Sequence, residues 1–167
     1  MKLILVRHAA AIDRDAGLPD DRRYLTPAGR AAFRKTARTL RRQGVAPDLI
    51  LTSPLVRAVQ TAEILAERLK YGGELVVADD LAPGFDLPGL EELAVKFVNA
   101  REVCLVGHEP DLSGLVVTLL GLTHGFRFRK GSALQLDAEP DKLRATASFN
   151  WLAAGKALMT ARDQAFA

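Results

Sequence analysis

The chain has 167 residues, of which 49% are hydrophobic and 26% charged, and its formal net charge is +3. This composition is typical of a soluble domain with a substantial core, and we expect one domain over residues 1–167. No apolar run is long enough to span a membrane, no basic leader opens the chain, and one cysteine excludes a disulfide within the chain or a cysteine-based zinc cluster. We therefore expect a cytoplasmic protein.

The first half of the chain alternates apolar strands with amphipathic helices. Thr26 and Pro27 are typical of a helix start, and Gly44 of a helix end. Ser53 is likewise predicted to cap a helix, with Pro54 in its first turn. The predicted elements are a strand at 2–6, a loop at 12–25, a helix at 27–43, a strand at 47–53 and a helix at 53–69.

The second half repeats this alternation and then changes to strands alone. Alternating strands and helices indicate an α/β sandwich with a mainly parallel sheet, and the two last strands predict an antiparallel edge. The predicted elements are strands at 74–79 and 101–108, helices at 90–99 and 110–121, loops at 80–89 and 122–132, and hairpin strands at 133–137 and 144–152.

Cations and imidazoles stand where three of the predicted strands end. Arg7 and His8 follow the first strand, Arg57 lies just after the second, and His108 ends the fourth. Ligands of open parallel sheets bind outside the carboxyl ends of the strands. We therefore expect these four residues to meet at one edge of the sheet.

This combination of residues is suited to a phosphate. The N–H forks of two arginines match phosphate oxygens, and the helix N-termini after Ser53 and Pro110 would add backbone donors. An imidazole among them can attack phosphorus or donate a proton. Because nearby arginines disfavour an imidazolium, we expect His8 to be neutral near pH 7.

Four segments in this order resemble the motifs of the histidine phosphatase superfamily, also called phosphoglycerate mutase-like. They are "LVRHA", "YLTPAGR", "TSPLVRAVQTAE" and "CLVGHEPDL". The small size, "RKGSALQLD" and "FNWL" are similar to the SixA-type phosphohistidine phosphatases. The resemblance implies a three-layer α/β/α fold in which His8 becomes phosphohistidine. It also implies that Arg7, Arg57 and His108 bind the phosphoryl group, that no metal or other cofactor is needed, and that water hydrolyses the phosphoenzyme.

The chain departs from the family pattern at two points. Ala9 replaces the usual glycine, which matters only if the backbone needs a positive φ there. Larger relatives carry an acidic residue that protonates the leaving oxygen, and no acid of this chain lies in a matching motif. The candidates for such an acid are Asp79, Asp80, Asp86 and Glu109. Without an acid, a phosphohistidine on a protein of the histidine phosphotransfer type is the favoured substrate, because an imidazole leaving group can already be protonated near neutral pH.

Other functions stay open at this stage. The nearest alternative is a small-molecule phosphomonoesterase of the same fold, and a second is a non-catalytic phosphate-binding module. A third alternative is a metal site built from His8, His108 and His124, but the spacing of these residues matches no known metal-ligand motif. A cysteine phosphatase is excluded because Cys104 is not followed by an arginine six residues later.

The remaining polar residues are assigned to structure. Gln60 and Thr61 are expected to support Arg57, and Lys130 and Ser132 to form a turn at Gly131. The basic residues between Arg30 and Arg42 are expected to form a solvated helix face. We expect a monomer with no nucleic-acid or membrane partner.

Overall fold

A computed structural model describes residues 1–167 as one seven-stranded sheet with six helices. The strands are β1 (Lys2–Arg7), β2 (Leu49–Thr52), β3 (Leu75–Val77), β4 (Glu102–Gly107), β5 (Ser132–Asp137), β6 (Ser148–Ala154) and β7 (Ala157–Met159). The helices are α1 (Pro27–Arg42), α2 (Val56–Leu69), α3 (Leu87–Lys96), α4 (Asp111–Leu120), α5 (Leu143–Thr146) and α6 (Arg162–Ala165), and 3-10 turns lie at Asp20–Arg22 and Asp79–Leu81.

The sheet has a parallel half and an antiparallel half. Its strand order is β3-β2-β4-β1-β5-β6-β7, and the strands β3, β2, β4 and β1 are parallel to one another. Strands β5, β6 and β7 add antiparallel pairs beyond β1. The α/β class is confirmed, and the antiparallel part extends to three strands. Arg7 pairs with Gly107 in the β1–β4 register, which brings the ends of these strands side by side.

Helices cover both faces of the sheet and make three layers. Alternate residues of a strand face opposite sides. Ile4 and Val6 pack into a core with α1 and α2, whereas Leu3 and Leu5 pack into a second core with α3 and α4. No helix has both the length and the apolar composition needed to span a membrane.

The loop after β1 and the start of α1 are fixed by local hydrogen bonds. Thr26 accepts from Gly29 N–H at 2.9 Å, and Pro27 occupies the first turn, so the predicted start of this helix is confirmed. Such a cap contributes about 1 kcal/mol. Gly44 follows the helix with a φ of +76°, a conformation that glycine adopts without strain.

Two predicted elements differ from the structure. Ser53 does not cap α2, because this helix begins three residues later at Val56 and has no side-chain cap; Ser53 Oγ accepts from Leu55 N–H and lies 2.7 Å from His108 Nε2. The predicted strand 144–152 is also wrong over its first four residues, since Leu143–Thr146 forms a helical turn and β6 begins at Ser148. The strand β7 and the helix α6 that follow are additional elements.

Candidate functional site

A polar cavity of about 410 Å³ lies at the carboxyl ends of β1 and β4, beside the first turn of α2. Arg7, His8, Arg57 and His108 all line it, so the structure brings together the four residues that the sequence places at strand ends. Five cationic and three acidic side chains line the cavity, and one of its twelve lining residues is hydrophobic. Such a cavity is suited to an anion.

The ring of His8 is held by one hydrogen bond on each nitrogen. Nδ1 lies 2.8 Å from the backbone oxygen of Ala9, and Nε2 accepts from Arg57 Nε–H at 3.2 Å. A carbonyl oxygen only accepts, so the network assigns the proton to Nδ1. The lone pair of Nε2 therefore points towards Arg57, inside the cavity.

The surroundings of His8 favour its neutral form. Burial is the largest cause and, together with the charges of Arg57 and Arg7, lowers the pKa of His8 to about 4, although the bond to Ala9 acts in the opposite direction. The expected neutral imidazole is therefore supported. Desolvation contributes more to it than the arginines do.

Arg57 is nearly completely buried, with 3% of its surface exposed, and all three of its nitrogens are engaged. Beyond its bond to His8, Nη1 donates to the backbone oxygen of Asp20 at 2.6 Å, and Nη2 donates to the carboxylate of Asp20 at 3.0 Å. Burial opposes ionisation of this carboxyl, but the bonds and charges of Arg57 and Arg23 outweigh it and lower the pKa of Asp20. Asp20 thus stays ionised against the guanidinium.

Arg7 belongs to a polar chain that ends at Glu109. Its Nη1 donates to the backbone oxygen of Phe128, and the N–H of Phe128 donates to Ser113 Oγ at 3.1 Å. Ser113 Oγ lies 2.8 Å from both carboxylate oxygens of Glu109. The Nε of Arg7 is buried and has no hydrogen-bond partner.

His108 is 3% exposed and presents a free nitrogen. Its Nε2 lies 2.7 Å from Ser53 Oγ, which also accepts from Leu55 N–H at 3.3 Å, and the tautomer of the ring decides which of the two side chains donates. Nδ1 of His108 is buried without a partner, and it carries the ring proton in the tautomer in which Ser53 Oγ donates to Nε2. Burial, followed by the charges of His8 and Arg57, lowers the pKa of His108 to about 3.

Residues of the α2 motif hold the segment after β1. Thr61 Oγ1 accepts from Ala9 N–H at 3.1 Å and donates to the backbone oxygen of Arg57 at 2.7 Å. Gln60 Oε1 accepts from Leu25 N–H at 2.8 Å. Their supporting role agrees with this geometry. The backbone φ of Ala9 is not positive, so alanine fits at this position without strain.

The turn before β5 closes the cavity from the other side. Gly131 N–H donates to the backbone oxygen of His8 at 3.1 Å, with a φ of +70°. Lys130 lines the cavity, whereas Ser132 bonds to the backbone oxygen of Arg129. The first residues of the two helices, Val56 and Asp111, do not line the cavity, although backbone donors were expected there.

Several sequence candidates lie elsewhere. Asp79 and Asp80 are in a 3-10 turn, Asp86 caps α3, and none of them lines the cavity. The exposed ring of His124 bonds to the backbone oxygen of Phe166, so the three histidines do not assemble, and no group of three His, Cys, Asp or Glu side chains is placed to hold a metal ion. Burial raises the pKa of Cys104.

Sequence reasoning missed three contributors to the site. Asp20 comes from a loop with no periodic pattern, and only the folded chain shows that it reaches Arg57. The sequence pattern favours a capping role for Ser53 and assigns no role to Ser113. A polar side chain four residues after Glu109 on a predicted helix would have been the available signal for Ser113.

Comparisons with known proteins agree on one family. The family model "Histidine phosphatase superfamily (branch 1)" matches residues 3–83. A protein of Picosynechococcus sp. (strain ATCC 27264 / PCC 7002 / PR-6) is 39% identical over 114 residues, which cover 67% of this chain and 68% of that protein. The mitochondrial serine/threonine-protein phosphatase Pgam5 of Drosophila ananassae is 37% identical over 45% of this chain, and the match spans only 25% of that protein.

Among solved structures, the protein histidine phosphatase SixA complexed with tungstate superposes with a TM-score of 0.82 and 26% identity. The superposition covers 93% of this chain and 97% of that chain. The similarity therefore extends over nearly the whole chain, well beyond the residues that the family model matches.

Proposed function

Since the chain belongs to the histidine phosphatase superfamily, we propose that it is a metal-independent phosphatase that works through a phosphohistidine intermediate on His8. We further propose that its substrate is a phosphohistidine carried by a protein of the histidine phosphotransfer type. The proposal depends on Nε2 of His8 being unprotonated.

The observation that carries the proposal is the unprotonated Nε2 of His8 beside Arg57 Nε, at 3.2 Å. The opposite nitrogen is fixed by the oxygen of Ala9, so the lone pair cannot rotate away from the cavity without breaking that bond. A nucleophile needs an unprotonated lone pair in a fixed direction, and attack on phosphorus replaces the hydrogen bond that Nε2 accepts from Arg57. Arg57, Arg7 and Nδ1 of His108 then supply donors for the phosphoryl oxygens.

The proposed reaction has two steps. His8 Nε2 attacks phosphorus, the Nε2–P bond forms, and the bond from phosphorus to the leaving group breaks with its electron pair going to the leaving atom. Water then attacks phosphorus, the Nε2–P bond breaks with its electrons returning to Nε2, and phosphate is released. The guanidinium groups stabilise the charge on the phosphoryl oxygens in both transition states.

The choice of a phosphohistidine protein is supported by the similarity to SixA over nearly the full length of both chains. It is also supported by the chemistry of the leaving group, since a phosphorylated imidazole can take up a proton in solution near neutral pH. A cytoplasmic monomer without a nucleic-acid or membrane partner belongs to the same proposal. The alternative, a small phosphate ester, is favoured by one observation, the presence of Glu109 in the cavity.

The test is a paired assay in the presence of a chelator. A phosphohistidine-bearing phosphotransfer domain and a panel of small phosphate esters are each incubated with the wild type and with His8→Ala. We expect rapid His8-dependent release of phosphate from phosphohistidine. Turnover retained in His8→Ala would contradict the mechanism, and release from esters alone would assign the small-molecule function. Release from neither would leave a phosphate-binding module.

A further inference from the structure

Glu109 is the one carboxyl side chain of the cavity lining whose surroundings raise its pKa. It follows His108 directly and is half-buried. The other two acidic residues that line the cavity belong to the 12–25 loop. Asp13 is exposed there, and Asp20 is ionised against Arg57. The three aspartates suggested by the sequence lie outside the cavity.

The position of Glu109 is fixed from outside the cavity. Ser113 Oγ donates to its carboxylate, and the N–H of Phe128 occupies the acceptor site of Ser113. The backbone oxygen of Phe128 in turn accepts from Arg7, which is a proposed phosphate ligand. The carboxyl group and the phosphoryl pocket are therefore parts of one hydrogen-bonded unit, and each is held relative to the other.

The surroundings of Glu109 differ from those of Asp20. Burial is the largest cause and raises the pKa of Glu109, against the opposite effects of the Ser113 bond and the charge of Arg7. For Asp20, the contacts with Arg57 and Arg23 outweigh the effect of burial, and the pKa of this carboxyl is lowered. Two carboxyls of one cavity whose proton affinities are driven apart typically have different roles, one as a proton donor and one as a fixed charge.

We propose that Glu109 is the general acid of this site and that the enzyme consequently hydrolyses phosphate monoesters of poor leaving groups as well as phosphohistidine. This inference rests on the proposed nucleophile, His8. As the Nε2–P bond forms and the P–O bond breaks, the electron pair goes to the ester oxygen, which takes the proton of Glu109 and leaves as an alcohol. In the second step the Glu109 carboxylate accepts a proton from the attacking water, which restores its starting form.

The consequence is a dependence on the leaving group. An alkoxide is a poor leaving group and needs the proton in the transition state, whereas a nitrophenolate leaves readily without one. General acid catalysis contributes about 10²- to 10⁴-fold to the rate. Removal of the acid should therefore lower kcat/KM steeply for alkyl phosphates and little for an aryl phosphate with a good leaving group.

The experiment compares wild type, Glu109→Gln and the matched control Glu92→Gln, which changes an exposed glutamate of α3. Each is assayed with a series of alkyl and aryl phosphates of graded leaving-group basicity. Glutamine can still accept from Ser113, so we expect an unchanged affinity for tungstate and an unchanged melting temperature. We expect Glu109→Gln to lower kcat/KM at least 100-fold for alkyl phosphates and less than fivefold for p-nitrophenyl phosphate.

The outcomes separate the two proposals. If His8→Ala abolishes turnover while Glu109→Gln lowers kcat/KM equally for all leaving groups, or for none, the acid assignment is overturned and the nucleophile stands. The same holds if wild type turns over phosphohistidine and the aryl phosphate but no alkyl phosphate. If no substrate is turned over in a His8-dependent manner, both proposals fail.

Discussion

Replacement of Arg57 tests how much of the chemistry depends on the guanidinium fork. This side chain contacts the proposed nucleophile and is almost completely buried, so solvent cannot replace it. A hydrogen bond to a charged group contributes about 1.5–3 kcal/mol. If Arg57→Ala removes two such bonds to the phosphoryl group in the transition state, about 3–6 kcal/mol is lost, which corresponds to a decrease in kcat/KM of roughly 10²- to 10⁴-fold.

Lysine in place of Arg57 separates charge from geometry. It keeps a positive charge but has no planar fork, so it cannot contact Nε2 of His8 and two phosphoryl oxygens together. We expect Arg57→Lys to lower kcat/KM about 10- to 100-fold, so that its activity lies between those of the wild type and Arg57→Ala. The exposed residue Arg38 of α1 provides a matched control, since Arg38→Ala removes the same charge away from the cavity.

The assay is kcat/KM for a phosphohistidine-bearing domain, with trapping of the phosphoenzyme in a single turnover. Melting curves establish that each variant is folded, and Asp20 keeps its ion pair with Arg23 when Arg57 is removed. An Arg57→Ala variant that stays within tenfold of wild type would refute the reasoning, as would a lysine variant weaker than the alanine variant.

Three further predictions concern pH, charge and packing. The pKa values of His8 and His108 in the folded chain are about 4 and about 3, against 6.5 for an unperturbed histidine. Between these values the unfolded chain binds more protons than the folded chain. The free energy of unfolding therefore decreases as pH falls from about 6.5 towards 3. Urea unfolding at pH 7 and pH 4.5 measures this loss, and a double His→Gln variant with the same slope as wild type would contradict it. Asp20→Asn removes one half-exposed negative charge beside Arg57. We expect inorganic phosphate to inhibit this variant more strongly at low salt, by about 1 kcal/mol or less in binding free energy. Weaker inhibition than in the wild type would contradict this expectation. Thr61→Val leaves the N–H of Ala9 buried without an acceptor, and we expect the free energy of unfolding to fall by about 1–3 kcal/mol, with Thr61→Ser close to wild type; equal loss in both variants would assign the effect to packing.

The elements that the sequence predicted well are those whose signals are local. An apolar run that stops at Arg7 marks a strand end, and Thr26 followed by proline marks a helix start, because each depends on neighbours within a few residues. The convergence of Arg7, Arg57 and His108 also followed from a topological rule, since parallel strands present their carboxyl ends at one edge.

The features that the sequence did not reveal depend on distant contacts. Asp20 meets Arg57 from 37 positions away, and nothing in the 12–25 loop indicates where its chain will pass. Ser53 has a side chain that suits a cap, but His108 competes for its hydroxyl and the helix begins two residues beyond Pro54. The same sequence motif therefore serves the site rather than the helix.

The contact between Nδ1 of His8 and the oxygen of Ala9 explains how a neutral nucleophile can become a phosphorylated cation. A carboxylate at this place would raise the pKa of His8 and favour its protonated form, whereas with a carbonyl oxygen burial stays the largest influence and Nε2 stays unprotonated. In the proposed intermediate both ring nitrogens are substituted and the imidazole is positive. The phosphoryl oxygens then offset the charge of Arg57, and the carbonyl still accepts from Nδ1. The arrangement thus disfavours protonation of the free histidine while tolerating its phosphorylation, which is the selectivity that phosphoryl transfer at neutral pH requires.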